Sequence, residues 1–199
     1  MAEEKATKSE KADVLEGELL ENRVVIWGSG AVSLYDESGY GKPLPEETPD
    51  RLELELVEAT YLVEKGKLKV FKKESSKKKK EWLKYEDLTR IGTELVNQFH
   101  TQYLVYRDLR ERGYLVKTGY KFGAHFRLYE RGVKLKRGPK QAHEHTKAIV
   151  HCVPEESAFS LPEMSRATRL AHNIRAIMWW AVCDKEGDVT YYQITRVLP

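Results

Sequence analysis

Cysteine is nearly absent. Cys152 and Cys183 are the two among 199 residues, they share no metal-ligand spacing, and both read as small buried hydrophobes in a reducing cytosol. Long hydrophobic runs are absent too. No window reaches the roughly 18 apolar residues that a membrane-spanning helix needs. The opening "MAEEKATKSEKAD" is charged and has no apolar signal region, so a soluble, untargeted, cytoplasmic protein is expected, with residues 1–14 disordered. An excess of one charge is also missing: 34 Lys and Arg stand against 31 Asp and Glu, leaving +3 in a chain that is 33% charged. That balance excludes a uniform polycation, and any nucleic-acid surface must come from local clustering. The run His143, Glu144, His145 lacks the i, i+4 helical spacing of a zinc protease, so no metal and no cofactor is expected. Gly28-Ser29-Gly30 lacks the further glycine and the helix of a phosphate loop, which argues against nucleotide binding there.

What the chain has in quantity is alternation. Val24-Val25-Ile26-Trp27 closed by Gly28-Ser29-Gly30 predicts strands and a tight turn. Residues 35–50, "YDESGYGKPLPEETPD", carry Gly, Pro and acids without apolar periodicity and predict a long surface loop with Lys42 near its tip. From Arg51 the pattern predicts a strand, a helix to about Glu64 and a strand Leu68 to Phe71. The block "KKESSKKKKEW" predicts a solvated loop or linker. A single helix is predicted over Tyr85 to Arg112, ended by Gly113. Two strands around "TGYKFG", a strand "KAIVHCVP", a helix Leu161 to Trp179 and a hairpin with an acidic tip at Asp184 to Asp188 follow. This order describes an α+β chain of two units, residues 1–84 and 85–199.

Cutting RNA without a metal takes a base for the 2′-OH, an acid for the departing 5′-oxygen and a cation for the crowded phosphate. Tyr, His and Lys can fill those roles. Taken alone, Tyr129 in "FRLYERG" reads as a strand-end aromatic and His145 as a surface histidine. Four motifs in order change their weight: "YLVYRDLRERGYLVKTGYKFGAHFRLYERG", "HTKAIVHCVPE", "LPEMSRATRLAHNIR" and "DKEGDVTYYQITRV". Together they resemble the archaeal tRNA-splicing endonucleases, over the whole C-terminal half and more weakly over residues 15–85.

The resemblance implies a small N-terminal α/β domain and a C-terminal α+β nuclease domain with a mixed sheet and packed helices. It implies Tyr129 as base, from the "F-x-x-Y" strand, and His145 as acid, with His143 as the alternative. It places the family's lysine at position 176, after the arginine of "H-x-x-R-K"; here the segment is "HNIRA" and the residue is Ala176. Either this chain is a catalytic subunit with its lysine replaced, or it is a naturally non-catalytic subunit. Lys147 and Arg175 are the cations that could substitute only if the backbone re-aimed them, and alternation along a strand would put Lys147 on the face of His145. Arg169 matches a helix arginine that stacks on an unpaired base, and Lys42 matches a lysine on a crenarchaeal-type insertion reaching RNA. The implied partners are precursor tRNA with a bulge-helix-bulge and a structural subunit, in a heterotetramer of two catalytic and two structural chains. The implied products are 2′,3′-cyclic phosphate and 5′-hydroxyl ends, with no membrane involved.

Overall fold

Two sheets lie on either side of a shared helical layer. The computed structural model describes residues 14–44, 50–73, 79–119, 121, 123–134 and 145–197. The first sheet holds β1 (Leu15–Leu20), β2 (Arg23–Trp27), β3 (Lys42–Pro43), β4 (Arg51–Glu55), β5 (Leu68–Lys73) and β6 (Lys80–Leu83), in the order β3-β4-β2-β1-β5-β6. All pairs are antiparallel except β1 with β5. Helices α1 (Ser29–Ser38) and α2 (Leu56–Glu64) belong to this half. The second sheet runs β11 (Val189–Ile194), β10 (Ile177–Cys183), β9 (Ala148–Pro154), β8 (Phe126–Tyr129), β7 (Leu115–Thr118), and only β9 with β10 is parallel. The fold is α+β.

The segment Tyr85–Leu95 forms α3 and Phe99–Glu111 forms α4, so the single helix expected over Tyr85 to Arg112 is two. Gln98 breaks the run with φ 54. The break lets α4 turn back onto α3, where a Cβ on Gly92 would sit 2.4 Å from the Phe99 ring; only glycine allows that approach. The ring of Phe99 then joins Tyr103, Val105, Tyr106 and Leu109 in a core that includes Val24, Leu54 and Leu62 from the first half and Leu128, Ala148 and Val150 from the second.

Three further expectations are corrected. Residues 29–38, read as a turn and a loop, form α1, because Ala31 is buried against the first sheet and tertiary packing overrides a weak local signal. The lysine block is not all loop: Lys80 to Leu83 form the edge strand β6, a place where lysines protect an exposed ladder. The expected helix Leu161 to Trp179 ends early, as α5 (Leu161–Asn173), and "IMWWAVC" is β10.

Helix α5 starts at a capping box, in which the Glu163 N–H donates to Ser160 Oγ at 3.4 Å and the Ser160 N–H to Glu163 Oε2 at 2.8 Å. It stops at a Schellman turn. The Arg175 N–H donates to the His172 carbonyl at 3.0 Å and the Ala176 N–H to the Ala171 carbonyl at 2.9 Å, with Arg175 at φ 56. Glycine usually occupies that left-handed position. Arg175→Gly should therefore raise stability by about 1 kcal/mol, read as a higher urea midpoint with an unchanged slope.

Strand β9 is central and covered on both faces, which explains its continuous apolar sequence. Its Ala148, Val150 and Cys152 pack into the core around α4, while Ile149 joins Ala171, Met178 and Trp180 under α5.

Candidate active site

Three strand ends meet on one side of the second sheet. Leu128 faces Ala148 across β8 and β9, and Ala148 faces Ile177 across β9 and β10. One residue outward on each chain segment come Tyr129, Lys147 and Ala176. That next row is tied by the Lys147 N–H to the Leu128 carbonyl at 2.8 Å and by the Ile177 N–H to the Lys147 carbonyl at 3.0 Å. Adjacent strands lie about 4.8 Å apart, so the backbones at 129 and 176 are roughly 10 Å from one another. His145 stands two residues before Lys147, exposed, on the approach to β9. His143 lies outside the described residues.

Tyr129 is 1% exposed and packs with Leu115, Tyr35 and Val133. It lines a cleft of about 410 Å³ together with Lys42, Glu53, Glu55 and Glu58 from the first half of the chain and Lys117, Lys121 and Arg127 from the second. Five cations, Arg23 included, and three carboxylates surround this space. Burial pushes the Glu55 carboxyl above its ordinary value, and the Arg23 guanidinium at 2.5 Å pulls it back in part. The N-terminal half thus supplies a wall of the cleft that holds Tyr129.

The other expected residues are placed differently. Lys42 reaches the Tyr129 cleft, exposed on β3. Ala176 is half-buried at the second residue of the Schellman turn, where the helix end fixes its backbone. Lys147 has its ammonium 2.7 Å from Glu130 and 5.8 Å above the Tyr114 ring. Strand β9 begins only at Ala148, so strict alternation does not extend back through Lys147 to His145. Arg169 is exposed on α5, with its Nε donating to the Ser165 carbonyl at 3.3 Å. The cleft around Tyr129 is lined neither by Arg169 nor by His145. Among the described residues no group of three or more His, Cys, Asp or Glu could hold a metal ion.

Among the cleft residues that escaped the sequence reading are two cations on the strands around Tyr129. Arg127 is two positions before Tyr129 on β8, and Lys117 pairs with Arg127 across β7 and β8. The period of two along "FRLY" and "LVKT" carries both signals, because alternate residues share a face with Tyr129.

This is a two-sheet α+β protein whose second half brings Tyr129, Lys147 and Ala176 to adjoining strand ends, with His145 exposed two residues before Lys147. Two family models match the chain: tRNA intron endonuclease, N-terminal domain, over residues 15–83, and tRNA intron endonuclease, catalytic C-terminal domain, over residues 99–191. A tRNA-splicing endonuclease of Thermococcus gammatolerans is 41% identical over 164 residues, 82% of this chain and 86% of that protein. One of Methanothermobacter thermautotrophicus is 38% identical over 186 residues, 93% of this chain and 99% of that one. One of Methanococcoides burtonii is 37% identical over 179 residues, 89% of this chain but 47% of the longer relative. The chain belongs to the tRNA intron endonuclease family.

Proposed function

We propose that this chain is a subunit of an endoribonuclease that cuts precursor tRNA at intron boundaries, and that Ala176 leaves it able to bind substrate but nearly unable to cut. The observation that carries the reading is the row formed by Tyr129, Lys147 and Ala176, with His145 beside it, in a chain of this family. Tyr129 takes the proton of the attacking 2′-OH. His145 gives one to the departing 5′-oxygen. The phosphate closes onto the 2′-oxygen, leaving a 2′,3′-cyclic phosphate and a 5′-hydroxyl, and neither proton transfer calls for a divalent ion. The missing group is an ammonium at 176 to offset charge on the crowded phosphate.

Arg169 and Lys42 are the substrate-binding groups. A guanidinium plane on an exposed helix face suits an unpaired base, and an exposed lysine at the cleft suits a phosphate. A second reading, a non-catalytic RNA-binding subunit of the same assembly, draws support from Ala176 alone. Either role uses a partner. Strand β11 is an edge of its sheet with Tyr192 exposed, and the tip beside it is closed by the Asp188 N–H to Asp184 Oδ1 at 2.8 Å. An exposed ladder suits pairing with another chain and the acidic tip suits a basic pocket, in a tetramer with two structural subunits.

Binding tests the reading directly. An intron-containing transcript should bind tighter than the same tRNA without its intron. Affinity should fall by at least about tenfold between 50 and 200 mM salt, as expected when several phosphates are contacted. Arg169→Ala should weaken binding by about 1 kcal/mol, measured by filter binding. Equal affinity for the two transcripts would overturn the assignment.

A further inference from the structure

The stretch from Tyr35 to Lys42 is fastened to the second half of the chain by a half-buried and a buried cation. Arg110 of α4 donates to the Ser38 carbonyl at 2.9 Å and lies 3.8 Å over the Tyr40 ring. Lys117 of β7, 8% exposed, donates through Nζ to the Gly41 carbonyl and sits 4.8 Å over the Tyr35 ring. On the other side of the same residue, the Gly41 N–H donates to Glu58 Oε1 at 3.0 Å, and Glu58 is itself buried. Its second oxygen accepts the Glu55 N–H at 3.1 Å. One backbone residue is thus gripped at its carbonyl by a buried ammonium from β7 and at its amide by a buried carboxylate from α2.

Burying two charges is costly, and such groups persist where their hydrogen bonds are well made. Here both spend bonds on the residue before Lys42. Gly41 has φ 64, and a Cβ on it would lie 2.7 Å from the Glu53 carbonyl oxygen and 2.8 Å from Leu52 and Leu54 side-chain carbons. It is pressed flat on β4. Lys42 then pairs with Glu53 in the β3–β4 ladder and lines the cleft of Tyr129. Lys117 lines that cleft as well, in the strand beside Tyr129.

We infer that Lys117 is a positioning residue: through the Gly41 carbonyl, with Glu58 opposing it, it holds Lys42 in register with the Tyr129 cleft for one phosphate of the RNA. The inference rests on the RNA-binding reading above and deepens it, since it makes the second half of the chain responsible for aiming a cation carried by the first. A cationic contact is only as useful as its placement is fixed, and a lysine side chain is otherwise mobile.

The test is a four-way comparison of the full chain, Lys42→Ala, Lys117→Met and the double variant, binding an intron-containing transcript across a salt series. Lys42→Ala should lower affinity about fivefold and reduce the salt slope by about one, the signature of one lost phosphate contact. Lys117→Met should reproduce both changes, and the double variant should bind no more weakly than Lys42→Ala. Lys117→Arg, still able to donate to the Gly41 carbonyl, should restore binding. Amide hydrogen exchange supplies a readout without RNA: protection at Gly41 and Lys42 should drop at least about tenfold in Lys117→Met, while α4 stays protected. Should Lys117→Met fail to fold, Glu58→Gln loosens the same residue from its other side and should give the same two losses. Multiplying affinity losses in the double variant, or unchanged exchange at Gly41, would overturn the positioning role while leaving RNA binding intact. A wild-type chain with no preference for the transcript would instead overturn the RNA reading, and the positioning role with it.

Discussion

Ala176→Lys should raise cleavage of an intron-containing transcript by about 10²- to 10³-fold, the scale set by removing one charge-stabilising donor from a transition state. The gain should appear with a partner subunit present, and the new ends should be 2′,3′-cyclic phosphate and 5′-hydroxyl. The backbone at 176 is already held for the task. Its N–H closes the Schellman turn onto Ala171, and Ile177 next to it is bonded to the Lys147 carbonyl. A lysine there starts from the C-terminal end of α5, where unpaired carbonyls favour a cation, and it adds no left-handed residue. The existing neighbour Lys147 is engaged with Glu130 at 2.7 Å, so it neither fills the role nor strongly opposes a second ammonium. Tyr129→Phe placed on top of Ala176→Lys should return the rate to the starting level. If no pairing of the lysine variant with a partner yields cyclic phosphate ends, the catalytic reading fails and the non-catalytic subunit remains.

Position 176 also shows what sequence reasoning reaches and where it stops. Tyr129, Lys147 and Ala176 could each be singled out from the motifs and the resemblance, but their meeting in one row depends on the register of β8, β9 and β10, which no motif states. The strand pattern of the C-terminal half was legible: β7, β8, β9 and the β10–β11 hairpin all carry β-branched and aromatic runs bounded by turns. The errors cluster where the local signal is silent. Nothing in "LVNQF" announces the break at Gln98, since apolar spacing continues through it; the cause is Phe99 docking on Gly92, a contact between helices. Nothing in "HNIRAIMWW" announces that the helix stops at Asn173, because Arg175 takes the left-handed position without being glycine. Helix α1 has no side-chain cap and is held by packing. Lys147 shows the limit of alternation, which holds inside a ladder and not one residue outside it. The clasp on Gly41 joins residues up to 76 positions apart, so no local pattern could have shown it.

The same sheet carries a pH liability at its other end. His125 lies just before β8, its ring 5.8 Å from that of His151, which in turn faces Trp180 across β9 and β10. The Cys152 N–H donates to His125 Nδ1 at 3.0 Å, so the ring is held neutral with that nitrogen as acceptor. Burial, and to a lesser degree the charge of His151, push His125 from 6.5 down to about 4, and burial also lowers His151. In the unfolded chain both rings titrate near their ordinary value, so between about pH 6.5 and 4 the unfolded chain binds more protons and stability falls as pH falls. Above about 6.5 the contribution of the neutral rings is complete. For His125 alone the gap corresponds to about 3 kcal/mol, at 1.36 kcal/mol per unit. Urea unfolding at pH 7 and at pH 4.5 should show most of that loss in the wild-type chain. His125→Asn keeps an acceptor near the Cys152 amide and removes the titrating ring. Its stability should change less between the two pH values, by about 2 kcal/mol, even if it is the weaker protein at pH 7. Carboxylates titrate in the same range in both proteins and cancel in the comparison. Parallel pH profiles for the two would show that His125 is not the group that loosens this sheet in acid.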